Sequence, residues 1–207
     1  MDDFGDLGAM HFDLLREVGN IGAGNAVTSL AKLLGHKVEM TVPAVNLVEF
    51  KDIANCLGGP ESIVVGVLIQ IYEDVQGFMM FLLPKESADT VLTAMMADYA
   101  PPAPAGEPYT PMQISALIEM GNILSSSYLG SLSMLTSLTM LPQPPLLSID
   151  MANAILSVPM IEFGKVADKA LFIESVFETG VGGISGFFLL IPDMPSFARI
   201  LKSLGVG

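Results

Sequence analysis

Apolar residues near the start of the chain fall at helical intervals. Leu14, Val18 and Ile21 stand at i, i+4 and i+7, and the segment closes on Leu33, Leu34 and Gly35, which predicts a helix over residues 10–34. From Val38 to Val48 the pattern turns toward β-branched residues around Pro43, as in an extended segment. Ser62 to Tyr72 and Gln76 to Leu83 are rich in Val, Ile and Phe, and the polar pair Glu73-Asp74 separates them, so they read as a hairpin. Pro84 ends it, and Ala88, Val91, Leu92, Met95 and Met96 restore helical spacing across residues 85–99.

Five prolines in the eleven residues from Pro101 to Pro111 exclude helix and central strand and make residues 100–111 a linker. Beyond it the order repeats. A helix is predicted from Met112 to about Ser137, an extended piece around Pro144-Pro145-Leu146-Leu147, a hairpin from Ala170 to Pro192 turning at residues 180–183, and a short closing helix from Ser196 to Leu204. Within residues 149–163, Asp150, Met151, Asn153 and Ala154 are able to open a short helix with no counterpart in the first half. The hairpin ends match as well: Gly77-Phe78-Met79-Met80-Phe81-Leu82-Leu83-Pro84 beside Gly186-Phe187-Phe188-Leu189-Leu190-Ile191-Pro192.

Sparse polar positions repeat with the same fidelity. Asp13-x3-Glu17-x2-Asn20-x22-Pro43 returns as Ser115-x3-Glu119-x2-Asn122-x22-Pro145, every member 102 positions on. The chain therefore reads as an α+β fold, one domain over residues 1–207 made of two repeats at about 10–99 and 112–204. Pseudo-two-fold symmetry relates the repeats, and antiparallel strands form a sheet with helices packed on it.

Composition narrows the function. Nine Lys plus Arg stand against 22 Asp plus Glu, a formal charge of −13 that repels phosphate backbones and anionic lipid, so neither nucleic acid nor a membrane surface is an expected partner. Although 51% of residues are apolar, the longest runs, Ile63 to Ile69 and Phe187 to Ile191, fall far short of the roughly 20 residues of a spanning helix, and membrane insertion is not expected. Met1-Asp2-Asp3-Phe4 is acidic where a signal peptide is basic, and a single cysteine allows no internal disulfide; both point to the cytoplasm. Cys56 reads as a small, semi-buried apolar residue. With only His11 and His36 as imidazoles, no Cys/His cluster is spaced to hold zinc.

On a helix, offsets of four and three place Asp13, Glu17 and Asn20 on one ridge beside the apolar ridge of Leu14, Val18 and Ile21. Ser115, Glu119 and Asn122 form the matching ridge beside Ile114, Ile118 and Met120 or Ile123. Asp13 and Ser115, near helix starts, suit capping as well as a site. Exposed residues drift freely in sequence, so two copies holding the same 22-residue gap to a proline favour a shared function over two solvated faces. Gly19, Gly22 and Gly24 cost the first helix about 0.5 to 1 kcal/mol each relative to alanine. Packing of the two repeat helices against one another and approach of a partner account for them equally well. Gly19-Asn20-Ile21-Gly22-Ala23-Gly24 matches neither the dinucleotide fingerprint nor the P-loop. No serine has a histidine at a recognisable triad spacing. Chemistry at these stripes must come from orientation and electrostatics, with the reactive centre brought by a partner.

Glu17-Val18-Gly19-Asn20-Ile21-Gly22-Ala23-Gly24-Asn25-Ala26, its echo Glu119-Met120-Gly121-Asn122-Ile123-Leu124 and the two prolines resemble the CheC family of chemotaxis phosphatases. The similarity spans nearly the whole chain, and the doubled motif and length are similar to two-motif CheC rather than the shorter one-motif CheX or the longer FliY. The resemblance implies hydrolysis of the aspartyl phosphate on the response regulator CheY. It implies that Glu17 and Glu119 pair with a lysine of CheY and that Asn20 and Asn122 enter its active site to orient the attacking water, with Asp13, Pro43, Ser115 and Pro145 supporting the motif. The enzyme then has no cofactor or metal of its own, and the Mg2+ is held by phosphorylated CheY. A second partner implied is the receptor deamidase CheD, with Asp150 of Ile149-Asp150-Met151 at the contact; a turn or cap aspartate is the plain alternative. After Asn122 the second copy departs, since Leu124-Ser125-Ser126-Ser127-Tyr128 replaces the glycine-rich run. Two rival readings remain: a non-catalytic adaptor for CheD or CheY-phosphate, and a flagellar-switch component of the FliY type. The latter is expected to carry a further C-terminal switch domain, and this sequence ends at Gly207.

Overall fold

A computed structural model describes residues 8–34, 37, 39–96, 108–163, 169–179 and 182–205. Its elements run α1 (Ala9–Leu34), β1 (Glu39–Glu49), α2 (Phe50–Cys56), β2 (Ile63–Glu73), β3 (Gly77–Pro84), α3 (Lys85–Met96), α4 (Pro111–Thr136), β4 (Met140–Pro142), β5 (Leu146–Met151), α5 (Ala152–Phe163), β6 (Lys169–Thr179), β7 (Gly182–Pro192) and α6 (Met194–Ser203). The predicted helices, hairpins and extended pieces fall on α1, β1, β2–β3, α3, α4, β5, β6–β7 and α6. The end of the helix predicted over 85–99, residues 97–99, most of the predicted linker, residues 100–107, and part of the second hairpin turn, residues 180–181, lie outside the described residues.

The strands form one antiparallel sheet of order β1-β6-β7-β3-β2-β4, with β5 also paired to β2. The halves are interleaved in it: β1 of the first repeat pairs with β6 of the second, and β5 of the second pairs with β2 of the first. Neither half therefore completes its own sheet.

Both faces of the sheet are covered, which explains why its central strands read as almost unbroken apolar runs. On one face Val65, Val67, Ile69, Met79, Phe81 and Phe188 pack under α1, α4, α3 and α6. On the other, Val64, Met80, Leu82, Phe172 and Leu189 pack against Ile53 of α2, Leu57 at its end, and Ile155 and Leu156 of α5. The high apolar content fills these two layers, and no helix among the described residues is long and apolar enough to cross a membrane.

Four local expectations are corrected. Pro111 belongs to α4 rather than the linker: Thr110 caps the helix in a reciprocal capping box with Gln113, and proline at the first helical position has no intrahelical N–H bond to lose. Helix α2 follows β1 directly, where no helix is expected from the sequence; its seven residues are stabilised by burying Ile53 and Ala54, with Leu57 just past its end, rather than by length. Cys56, at the end of that helix, is exposed rather than semi-buried, because the buried face is taken by its neighbours. Ile21 lies outside the apolar ridge and is 47% exposed; the buried ridge of α1 is Leu15, Val18, Ala23, Ala26 and Leu30, one position around from the ridge expected.

The start of α4 is tied to α3 by a small polar network. Tyr109 donates its hydroxyl to Asp89 Oδ1 at 2.6 Å, and Lys85 Nζ donates to Asp89 Oδ2 at 2.7 Å. Burial, and then the Asp89 carboxylate, push the Tyr109 pKa up, so the phenol stays protonated and remains a donor.

Candidate functional site

Helices α1 and α4 have the same length, 26 residues, and carry the two polar stripes at matching places. They cross at close range. A Cβ on Gly22 would stand 3.0 Å from the Tyr128 Cα, and Asn25 Nδ2 donates to Ser131 Oγ at 3.2 Å across the crossing. Each helix is also pressed onto the sheet through a glycine: a Cβ on Gly19 would stand 3.1 Å from Val42 Cγ1, and one on Gly121 would stand 2.8 Å from Val67 Cβ. Packing therefore accounts for Gly19 and Gly22. Gly24 faces open space.

These contacts turn the polar stripes outward. Glu17 and Glu119 are exposed, and no ion pair holds either among the described residues. Asp13 is exposed and takes a 3.0 Å ion pair from Arg16, one turn on; with α1 beginning at Ala9, it is not a cap. Ser115 is exposed and donates its hydroxyl to the Pro111 carbonyl at 3.0 Å, while Thr110 does the capping. Capping therefore explains neither position.

Both asparagines are half-buried at the edge of their helices. Asn20 Oδ1 accepts the Val42 N–H at 2.9 Å, and its Nδ2 reaches the Arg16 carbonyl at 3.2 Å and the Val42 carbonyl at 3.4 Å. Val42 precedes Pro43, so the 22-residue gap measures the distance from this amide to the strand it grips. Proline has no N–H, and the β1–β6 register shifts between Thr41 and Ala44, as at a β-bulge. Asn122 has lighter duties: its Oδ1 accepts from Ser126 Oγ at 3.5 Å. Pro145 is half-buried just ahead of β5.

Asp150 lies elsewhere, on β5, opposite Val64 of β2. It is exposed, its Oδ1 accepts the Met151 N–H at 2.8 Å, and the neighbouring Ile149 and Met151 are exposed apolar residues. The fold thus gathers the predicted residues into two helical stripes and one separate strand position. No hydrogen bond or ion pair among the described residues joins one stripe to the other.

Each stripe offers an exposed carboxylate for a partner's cation and, one turn on, a carboxamide, a group that can donate and accept at once. Among the described residues no three His, Cys, Asp or Glu side chains converge as metal ligands. The reading from sequence missed Arg16 and Val42, which set the surroundings of Asp13 and Asn20, while Ser126, the neighbour of Asn122, stands in the run where the second copy departs. Only Val42 left a signal, in the constant gap that ends one residue beyond it.

Comparison with known proteins bears on these same segments. The model of the CheC-like family matches residues 10–47 and 112–149, which contain both stripes and both prolines. The CheY-P phosphatase CheC of Bacillus subtilis is 32% identical over 211 aligned residues, covering 100% of each chain. Among solved structures, Thermotoga maritima FliY superposes with a TM-score of 0.73 at 24% identity, covering 95% of this chain and 98% of that one. The FliM middle domain of H. pylori superposes with a TM-score of 0.70 at 12% identity, covering 95% and 99%. These two share the fold. With the whole-length likeness to CheC and the doubled match to the family model, the chain belongs to the CheC-like family.

Proposed function

We propose that this protein is a chemotaxis phosphatase that hydrolyses the aspartyl phosphate of the response regulator CheY. The observation that carries the reading is the full-length likeness to a CheY-P phosphatase, together with two stripes, each an exposed Glu and a half-buried Asn, at the positions the family model covers.

An acyl phosphate is already activated, so its hydrolysis needs an in-line water more than a strong base. Glu17 and Glu119 dock against a lysine of CheY, and the exposure of both carboxylates, neither in an ion pair among the described residues, suits that role. Asn20 and Asn122 enter the CheY active site, where a carboxamide accepts a hydrogen bond from the water and donates one toward the phosphoryl group. Mg2+ is held by CheY and neutralises charge developing on the phosphoryl oxygens; this chain contributes orientation alone. The site of action is the cytoplasm.

CheD is the second partner. Asp150 presents an exposed carboxylate on β5, and since its strand neighbours Ile149 and Met151 point to the other face of the sheet, the carboxylate itself is the group offered to CheD.

The test is decay of phosphorylated CheY in Mg2+ with the parental protein and with the double variant Asn20→Ala/Asn122→Ala. Loss of a positioned hydrogen-bonding group is worth about 2 to 4 kcal/mol, or about 10² to 10³ in rate. A folded double variant that hydrolyses at the parental rate refutes the assignment, as does a parental protein that leaves CheY-phosphate decay unchanged.

A further inference from the structure

The two asparagines occupy matching positions in unmatched surroundings. At Asn20 both ends of the carboxamide are committed: Oδ1 accepts from the Val42 N–H, and Nδ2 spans the Arg16 and Val42 carbonyls. Val42 is buried, and the register shift around it leaves its N–H without a pairing position on β6, so Asn20 satisfies a group that would otherwise be orphaned. The residue 102 positions beyond Val42 is Pro144, which has no N–H to give. Asn122 accordingly makes a single bond, at 3.5 Å to Ser126 Oγ, and its Nδ2 has no partner among the described residues.

An amide that steers water must offer both ends to its guest. For Asn20 that means releasing Val42; for Asn122 it means breaking one long hydrogen bond. Given the phosphatase reading above, on which this inference rests, we infer that the two sites are unequal by construction. The second stripe, Glu119 and Asn122, delivers most of the hydrolysis, and Asn20, held by the β1 bulge it clamps, delivers the smaller share.

The experiment pairs CheY-phosphate decay with thermal unfolding for Asn20→Ala, Asn122→Ala and the double variant. Asn122→Ala is expected to slow decay at least about tenfold more than Asn20→Ala does, with its unfolding midpoint held. Asn20→Ala is expected to lower the midpoint, since the Val42 N–H loses its acceptor. If Asn20→Ala does not fold well enough to assay, Asn20→Asp and Asn122→Asp repeat the comparison, because aspartate keeps an oxygen for the Val42 N–H while losing the amide donor. Equal loss from the two single variants, or greater loss from the change at Asn20 with an unchanged midpoint, overturns the inequality while leaving the phosphatase reading intact. A folded double variant with parental activity overturns both.

Discussion

Replacing Gly121 by alanine tests whether α4 is seated on the sheet as closely as the geometry requires. An added Cβ would lie 2.8 Å from Val67 Cβ and Cγ1 and 2.9 Å from Cγ2, against an optimum near 3.5 to 4.0 Å for carbon pairs. Val67 is fully buried on β2, held between β3 and β5, and has little room to retreat. Overpacking of this kind costs about 1 to 3 kcal/mol, and the gain from removing a helix glycine, about 1 kcal/mol, offsets part of it. The expected net effect runs from no gain to a loss of about 2 kcal/mol, and each kcal/mol shifts the midpoint by about 2 to 4 °C in a chain of this size. Gly130, on the same helix, is exposed and has nothing within 4 Å of its added Cβ, so alanine there should stabilise by about 0.5 to 1 kcal/mol. Urea unfolding followed by circular dichroism measures both, with stability read from the midpoint at constant slope. Since Asn122 adjoins Gly121, lifting the helix should also slow CheY-phosphate hydrolysis. A Gly121→Ala variant stabilised as much as Gly130→Ala would refute the close seating of α4.

Two further outcomes follow from other contacts. The Tyr128 hydroxyl is buried with no hydrogen-bond partner among the described residues, and burial pushes its pKa up. Tyr128→Phe keeps the ring stacked on Phe188, 6.1 Å away between centroids, and should raise stability by about 1 kcal/mol in a chemical melt; a loss of that size would reveal a partner for the hydroxyl. Asp150→Lys should weaken CheD binding, measured by calorimetry, by about tenfold or more through charge reversal on an exposed strand; unchanged affinity would remove Asp150 from the contact.

The duplicated stripe was legible because its residues lie close in sequence on one helix, where offsets of three and four fix a common direction. The hairpins were legible for a similar reason, being local and bounded by Glu73-Asp74, Pro84 and Pro192. Helix α2 was not. Seven residues carry too little periodicity to announce themselves, and the segment is helical because Ile53 and Leu57 find a surface shared with α5. The buried ridge of α1 was misplaced by one position, because Val18 belongs to either ridge and only contact with α4 and β1 selects Leu15 over Ile21.

By itself the sequence determined that the chain is a doubled unit, that each copy presents an acid and an amide one turn apart, and that its charge disfavours polyanions. Those properties are set by spacing and composition, which do not depend on distant partners. Tertiary structure alone decided that the halves exchange strands, that Gly19 and Gly121 seat their helices on different strands, and that Asn20 is bound to Val42 while Asn122 is nearly free. The reason is that a hydrogen-bonding group is judged against every neighbour the fold brings to it. Identical residues at identical spacing therefore acquire different strengths of attachment once one faces a main-chain N–H and the proline at the other's matching position removes it.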